Sequence, residues 1–204
     1  MTDAAFWNKI APKYAKYPIS DLKNYHLTLN RIKAILQPHH RVLEMGCGTG
    51  STALELADGV DRYIGTDVSS GMIAIAQEKI RDNAPTHLRF AVHAAEDIPA
   101  APHDVILALN LLHLVANAEE VLNRVFEALP SGGLFIAKTP LLKDGKWFLR
   151  PMVSVMRFFG KAPFVTFLGD VDLEAHLKTA GFEVIETMHQ PGIAPRTFTV
   201  AQKP

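Results

Sequence analysis

One string gathers residue types that could do chemistry together: RVLEMGCGTGSTALELA, residues 41–57. A carboxylate, Glu44, stands inside an apolar run, Gly46, Gly48 and Gly50 follow at once, and a helix-like stretch comes after them. Glycines so placed allow a tight turn and let a ligand approach the backbone closely. Asp67 closes the next apolar run, about 20 residues past the first glycine, where a carboxylate can chelate the two hydroxyls of a ribose. The loop reads G-x-G-x-G; a dinucleotide fingerprint, G-x-G-x-x-G, would want its third glycine at Ser51.

Three features move the expectation from a nicotinamide dinucleotide toward S-adenosylmethionine. Glu44 would repel a pyrophosphate, whereas it suits an ammonium group, directly or through water. In GTDVSSGMI (65–73), Ser69 is placed to cap a helix and Met72 to pack on an adenine face. The turn Leu129-Pro-Ser-Gly-Gly133 is separate from any phosphate site. His113, three residues beyond Asn110, is the best-placed general base if one is needed; simple packing at a helix start explains it equally well. His26 and Tyr25 are weaker alternatives. His39 and His40 have no ligands at metal spacing, so they read as a solvated turn.

These residues need elements to hold them. Short apolar runs at Val42–Met45, Tyr63–Thr66, Leu88–Val92, Val105–Leu109 and Leu134–Lys138 read as buried strands. Helical stretches at Ser51–Ala57, Ser70–Asp82 and Ala118–Leu129 lie between them, the last opened by Asn117 and Glu120 in capping-box spacing. Apolar strands alternating with helices predict a parallel sheet covered on both faces, a doubly wound α/β domain. A helix over Val171–Ala180, stopped by Gly181, leads to strands Phe182–Met188 and Arg196–Ala201, which could pair as an antiparallel hairpin at the sheet edge. Ahead of the sheet, Leu22, Tyr25, Leu29, Ile32 and Leu36 share one helical face, capped near Ser20 and Asp21 and ended by Pro38. A short earlier helix carries Phe6, Trp7, Ile10 and Tyr14.

Composition narrows the function classes. The 204 residues carry 21 basic and 21 acidic side chains and are 48% hydrophobic, which fits one globular domain. Balanced charge argues against a general grip on nucleic acid. A single cysteine, Cys47, cannot make an internal disulfide or a cysteine-rich zinc site and points to a reducing, cytoplasmic setting. MTDAAFWNK lacks the pattern of a secretory signal, and the longest apolar stretch, Val105–Ala116, is about half a membrane span.

Taken together, VLEMGCGTG (42–50), YIGTDVS (63–69), AAEDIP (94–99), DVILALNLLHLV (104–115) and LPSGGLF (129–135) resemble the class I S-adenosylmethionine-dependent methyltransferases, particularly small-molecule enzymes of the ubiquinone and menaquinone biosynthesis type. The resemblance implies a Rossmann-like seven-stranded sheet, mostly parallel, with an antiparallel final strand. It implies that Glu44, Gly46, Cys47 and Gly48 hold the methionine part of S-adenosylmethionine, released after transfer as S-adenosylhomocysteine. Asp67 would bind the ribose diol, with Val68 and Met72 beside the adenine and Ala95 and Glu96 at its edge. Asn110 and Leu111 would close the pocket, and Tyr14 would fold over the cofactor. Ala94 stands where many members carry Asp, which leaves the adenine amino group to Glu96, Asp97 or water. Missing motifs set aside DNA, arsenite and metal-dependent catechol methylation, leaving a metal-independent enzyme for a small molecule or lipid. An NAD-dependent oxidoreductase on a similar fold and a non-catalytic S-adenosylmethionine-binding protein are the alternatives.

The whole chain, 1–204, reads as one such domain, with residues 1–40 as a helical cap and 140–170 as an insertion. From Lys138 to Lys161 six cations face Asp144 alone, and a helix expected from Pro151 is apolar around a narrow stripe of Arg150, Ser154 and Arg157. Three roles are open for it: packing on the sheet, a lid over an apolar acceptor, or weak membrane-surface contact through 147–160. The sequence leaves the oligomeric state open.

Overall fold

The computed structural model describes residues 4–80 and 85–204. Two helices, α1 (Ala4–Tyr14) and α2 (Leu22–Ile35), precede β1 (Arg41–Met45). The chain then alternates through α3 (Ser51–Leu56), β2 (Arg62–Asp67), α4 (Ser70–Lys79), β3 (Leu88–Val92), β4 (Val105–Leu109), α5 (Ala118–Ala128) and β5 (Leu134–Pro140). After α6 (Leu149–Phe158) and α7 (Asp170–Ala180) come β6 (Glu183–Gln190) and β7 (Arg196–Gln202). The sheet runs in the order β3-β2-β1-β4-β5-β7-β6. β1 to β5 are parallel, and β7 is antiparallel to both β5 and β6.

The doubly wound expectation therefore holds, and so does the β6/β7 pairing. The hairpin forms one end of the sheet as expected, with β7 paired to β5 and β6 outermost, opposite the other edge strand, β3. The first five strands fall where the apolar runs placed them, within a residue or two. The helix expected over Ser70–Asp82 is described to Lys79; residues 81–84 lie outside the described residues. Pro151 occupies the third position of α6 rather than its first; backbone N–H groups in a first helical turn lack intrahelical partners anyway, so proline is tolerated there.

Alternation along the strands divides the core in two. Leu43, Ile106, Phe135 and Ala137 face α5 and α7, packing with Val121, Leu122, Val125 and Leu173. Val42, Leu107, Ile136, Phe198 and Val200 face the other way, toward Leu29, Ile32, Ala53 and Ile73 of α2, α3 and α4. Strands buried on both sides explain why they read as unbroken apolar runs.

Caps fix where the site-bearing helices begin. Asp21 accepts from the Asn24 N–H at 3.2 Å to start α2, and Asn117 accepts from the Glu120 N–H at 3.2 Å to start α5. Ser69 accepts from the Met72 N–H at 3.1 Å to start α4. Asn8 of α1 then locks onto that same turn: its Oδ1 accepts from Ser69 Oγ at 2.7 Å and the Gly71 N–H at 2.9 Å. This ties the N-terminal helix to the mouth of the sheet.

α6 differs from the simplest expectation. Leu149 is its one buried residue, while Val155 and Phe158 are 57% and 86% exposed. Arg150 lies over the Phe167 ring and Arg157 over the Phe164 ring, each at 5.0 Å. The helix is held at its base and presents apolar side chains outward, so its apolar stripe is not core. No described helix is long and apolar enough to cross a membrane.

Candidate functional site

Parallel strands β1, β2 and β4 end side by side, and their following loops enclose a pocket of about 530 Å³. Ligands on open α/β sheets sit at this edge, where strand order reverses about the first strand. Residues from α1 and α2 close the outer side, among them Trp7, Tyr14, Tyr25 and Leu29.

Glu44 sits at the pocket's inner wall, 3% exposed. Tyr63 Oη donates to its carboxylate at 2.9 Å, and no cation pairs with it among the described residues. Burial pushes its pKa up to about 7, the Tyr63 hydrogen bond pulls it down, and Asp67 raises it further. A buried carboxylate left in this state is costly; a ligand ammonium would remove the cost.

The loop after β1 is shaped around that wall. Gly48 has φ +55°, and a Cβ there would meet nothing within 4 Å, because the space in front of it is the pocket. The Gly48 N–H donates to Asp67 Oδ2 at 3.0 Å, and the Ser69 N–H donates to Oδ1 at 2.9 Å. Asp67 is thereby aimed from the end of β2, with lone pairs left over for a diol. Its pKa is raised, burial outweighing these two hydrogen bonds.

Asn110 follows β4 with φ +58°, a conformation in which asparagine is tolerated and most side chains are strained. Its N–H donates to the Lys138 carbonyl at 2.6 Å. This turn brings Asn110 and Leu111 to the pocket. The structure thus gathers Tyr14, Glu44, Gly46, Cys47, Gly48, Asp67, Val68, Met72, Ala95, Asn110 and Leu111 around one cavity. Burial raises the Tyr14 phenol, with Asp67 adding to it. Burial also pushes the Cys47 thiol well above its ordinary value, so it is no ready nucleophile.

Three sequence-predicted residues, Glu96, His113 and the alternative base His26, do not line the pocket, whereas Tyr25 does. Glu96 stays outside it, and its neighbour Asp97 pairs with His93 at 3.0 Å. His113 lies in the 3-10 turn Leu112–Leu114, away from the lining, with Nδ1 buried and unpartnered. Burial, and then Arg196, lower its pKa to about 4; it is neutral near pH 7 and a weak base. Conversely, Trp7, Asn24, Thr28, His93, Lys138 and Arg196 line the pocket without having been singled out as ligand contacts. None of residues 147–160 does.

Known proteins resemble this chain in sequence and in fold. Residues 42–133 match a family described as "Methyltransferase domain". A ubiquinone biosynthesis O-methyltransferase of Azorhizobium caulinodans is 31% identical over 153 residues, covering 72% of this chain and 60% of that protein. The highly reducing polyketide synthase PKS2 of Leptosphaeria maculans is 29% identical over 136 residues, 57% of this chain but 5% of the synthase. The chain thus spans only part of the curated relatives it matches. Among solved structures, magnesium protoporphyrin IX methyltransferase from Synechocystis, with bound S-adenosylhomocysteine, superposes with a TM-score of 0.72 at 17% identity, covering 98% of this chain and 94% of that one.

Proposed function

We propose that this chain transfers a methyl group from S-adenosylmethionine to a small-molecule or lipid acceptor without a metal, a reading supported by the match of residues 42–133 to a family described as "Methyltransferase domain". The observation that carries this is Glu44: a buried carboxylate, raised to about 7 and paired with no cation among the described residues, beside an open glycine loop. A dinucleotide pyrophosphate would be repelled there.

The residues present fit the cofactor. Glu44, held by Tyr63, would take the ammonium; the backbone of Gly46, Cys47 and Gly48 would take the rest of the amino-acid part. Asp67 would take the ribose hydroxyls, with Val68, Met72 and Ala95 around the base and Tyr14 over it. Asn110 and Leu111 would form the side nearest the acceptor. When bound, the cofactor supplies an electrophilic sulfonium methyl. The chain's task is then to align an electron-rich atom with that methyl and keep water away. Trp7, Tyr14 and Leu29 serve the exclusion of water, since they wall the outer side with apolar surface. With His113 outside the lining, the acceptor atom is one that needs no strong base from this histidine.

Calorimetric titration with S-adenosylmethionine, S-adenosylhomocysteine and NAD tests the proposal. The first two should bind and NAD should not; binding of NAD alone would overturn it. We further read residues 1–40 as a cap and 140–170 as an insertion of one domain, in a cytoplasmic setting suited to the free thiol of Cys47. The outward apolar side of α6, edged by Arg150 and Arg157, favours contact with anionic lipid. Co-sedimentation with phosphatidylserine vesicles at low salt, lost in Phe158→Asp, is the expected result; protein left in the supernatant would remove that contact.

A further inference from the structure

The end of the pocket away from Asp67 holds two cations that no carboxylate pairs with among the described residues. Lys138 lies in β5 and Arg196 opens β7; the register sets Lys138 against Phe198 and Pro140 against Arg196. The two side chains are therefore diagonal neighbours on one face of the sheet. Both line the pocket.

Lys138 is only 7% exposed. Its ammonium donates to Thr28 Oγ1 at 2.8 Å and to the Asn24 carbonyl at 3.3 Å, which uses two of its three N–H groups. The Arg196 guanidinium has no hydrogen-bond or ion-pair partner among the described residues. Asp21 is the carboxylate whose charge reaches both cations, but it is engaged in capping α2 through the Asn24 N–H and Nδ2. Burial, then Arg196, pulls the Lys138 pKa below its ordinary value. Like charges drawn together in a partly desolvated cavity repel, and an anion between them would relieve that repulsion.

We propose that Lys138 and Arg196 form a subsite for an acidic group, so that the molecule accepted at this end of the pocket carries a carboxylate or a phosphate. That its occupant is the methyl acceptor rests on the methyltransferase reading; the subsite itself rests on the placement of the two cations. Arg196 offers a planar fork that matches either oxyanion, and Lys138 adds a fixed point charge behind it. Tyr17, Pro18, Ile19 and Leu29 line the same cavity, so the acidic group would be borne on a largely apolar body.

The test titrates the purified protein, with and without saturating S-adenosylhomocysteine, with benzoate, phenyl phosphate and the neutral shape-mimic benzamide. Dihexanoyl phosphatidic acid is a fourth probe. At least one acid should bind tenfold or more tightly than benzamide, and Arg196→Gln and Lys138→Met should each erase that preference. Tighter binding of phosphatidic acid than of phenyl phosphate would identify the source as a lipid headgroup; the reverse order would identify a soluble acid. Should Lys138→Met fail to fold, the half-buried Arg196→Gln carries the comparison by itself. Acids binding no better than benzamide, or a preference surviving in Arg196→Gln, would overturn the subsite. Binding of S-adenosylhomocysteine is read separately, so either proposal can fail while the other stands.

Discussion

Replacing Glu44 by Gln should weaken S-adenosylhomocysteine binding by about 100-fold at pH 8, an effect of about 3 kcal/mol, as expected when one partner of a desolvated charge pair is removed. The pH dependence is the sharper test. In the unliganded protein Glu44 titrates at about 7; beside a bound ammonium it should titrate in the ordinary carboxylate range or below. Binding below pH 7 must then expel the carboxyl proton. Affinity should rise about tenfold per pH unit up to 7 and flatten above it. Calorimetry at pH 6 in buffers of different ionisation enthalpy should detect the release of nearly one proton, and at pH 8.5 almost none. The titratable groups around Glu44 are Tyr63, Asp67, Cys47 and Tyr25. None of these is a cation; Asp67 is itself a carboxylate raised by burial, so the proton release is assigned to Glu44 by its loss in Glu44→Gln.

Stability should follow the opposite course. A carboxylate whose pKa is raised on folding binds more protons in the folded than in the unfolded chain between about pH 4 and 7, so rising pH destabilises the unliganded protein across that window. The shift to about 7 corresponds to up to about 3 kcal/mol. Glu44→Gln should therefore flatten the pH dependence of urea denaturation while it abolishes the proton release. A variant that lost stability equally at pH 5 and pH 8 would make Glu44 a structural residue instead.

The second large effect separates two glycines that look alike in the sequence. Gly50 has φ +75°, and an added Cβ would stand 2.6 Å from Phe90 Cζ and 3.0 Å from Ala76 Cβ. Gly50→Ala combines left-handed strain of about 1 kcal/mol with overpacking of about 2 kcal/mol. That should lower the melting temperature by roughly 10 °C in a chain of this size. Gly48→Ala carries the strain alone, because its Cβ would enter open space. Its melting temperature should fall by roughly 3 °C, yet ligand affinity should drop because the methyl projects where the ligand must lie. Equal melting temperatures for the two variants would contradict the geometry.

That contrast marks how far the sequence could be read. The glycine spacing, Glu44 and Asp67 were legible because each is a residue type out of place beside an apolar run. What each glycine avoids was not legible, since Phe90 reaches Gly50 with α3, β2 and α4 between them in the chain. Lys138 was hidden for a similar reason. In the sequence it ends an apolar run and opens a basic stretch, and nothing local reveals that Thr28 and Asn24 of α2 will surround it. Arg196 becomes its neighbour only through the β5/β7 register. Between a base and a packing role for His113 the sequence does not choose, because a 3-10 turn of three residues has no periodicity from which its inward side can be read. The stripe on α6 shows the limit of amphipathicity: a helix facing the core and one facing outward have the same pattern.

The position of β7 governs how the molecule must assemble. β5 has a partner on its β4 side early in the chain, but its other edge stays bare until residues 196–202 arrive. β6 precedes β7 in the chain and cannot join the sheet without it. A nascent or partly folded chain therefore exposes the apolar edge Leu134–Ala137 as a template for pairing with another copy. Closing that edge brings together strands about 60 residues apart, a slow contact that must outrun association. Kinetic partitioning between insertion and aggregation, more than the strength of the finished core, will set the yield of soluble protein.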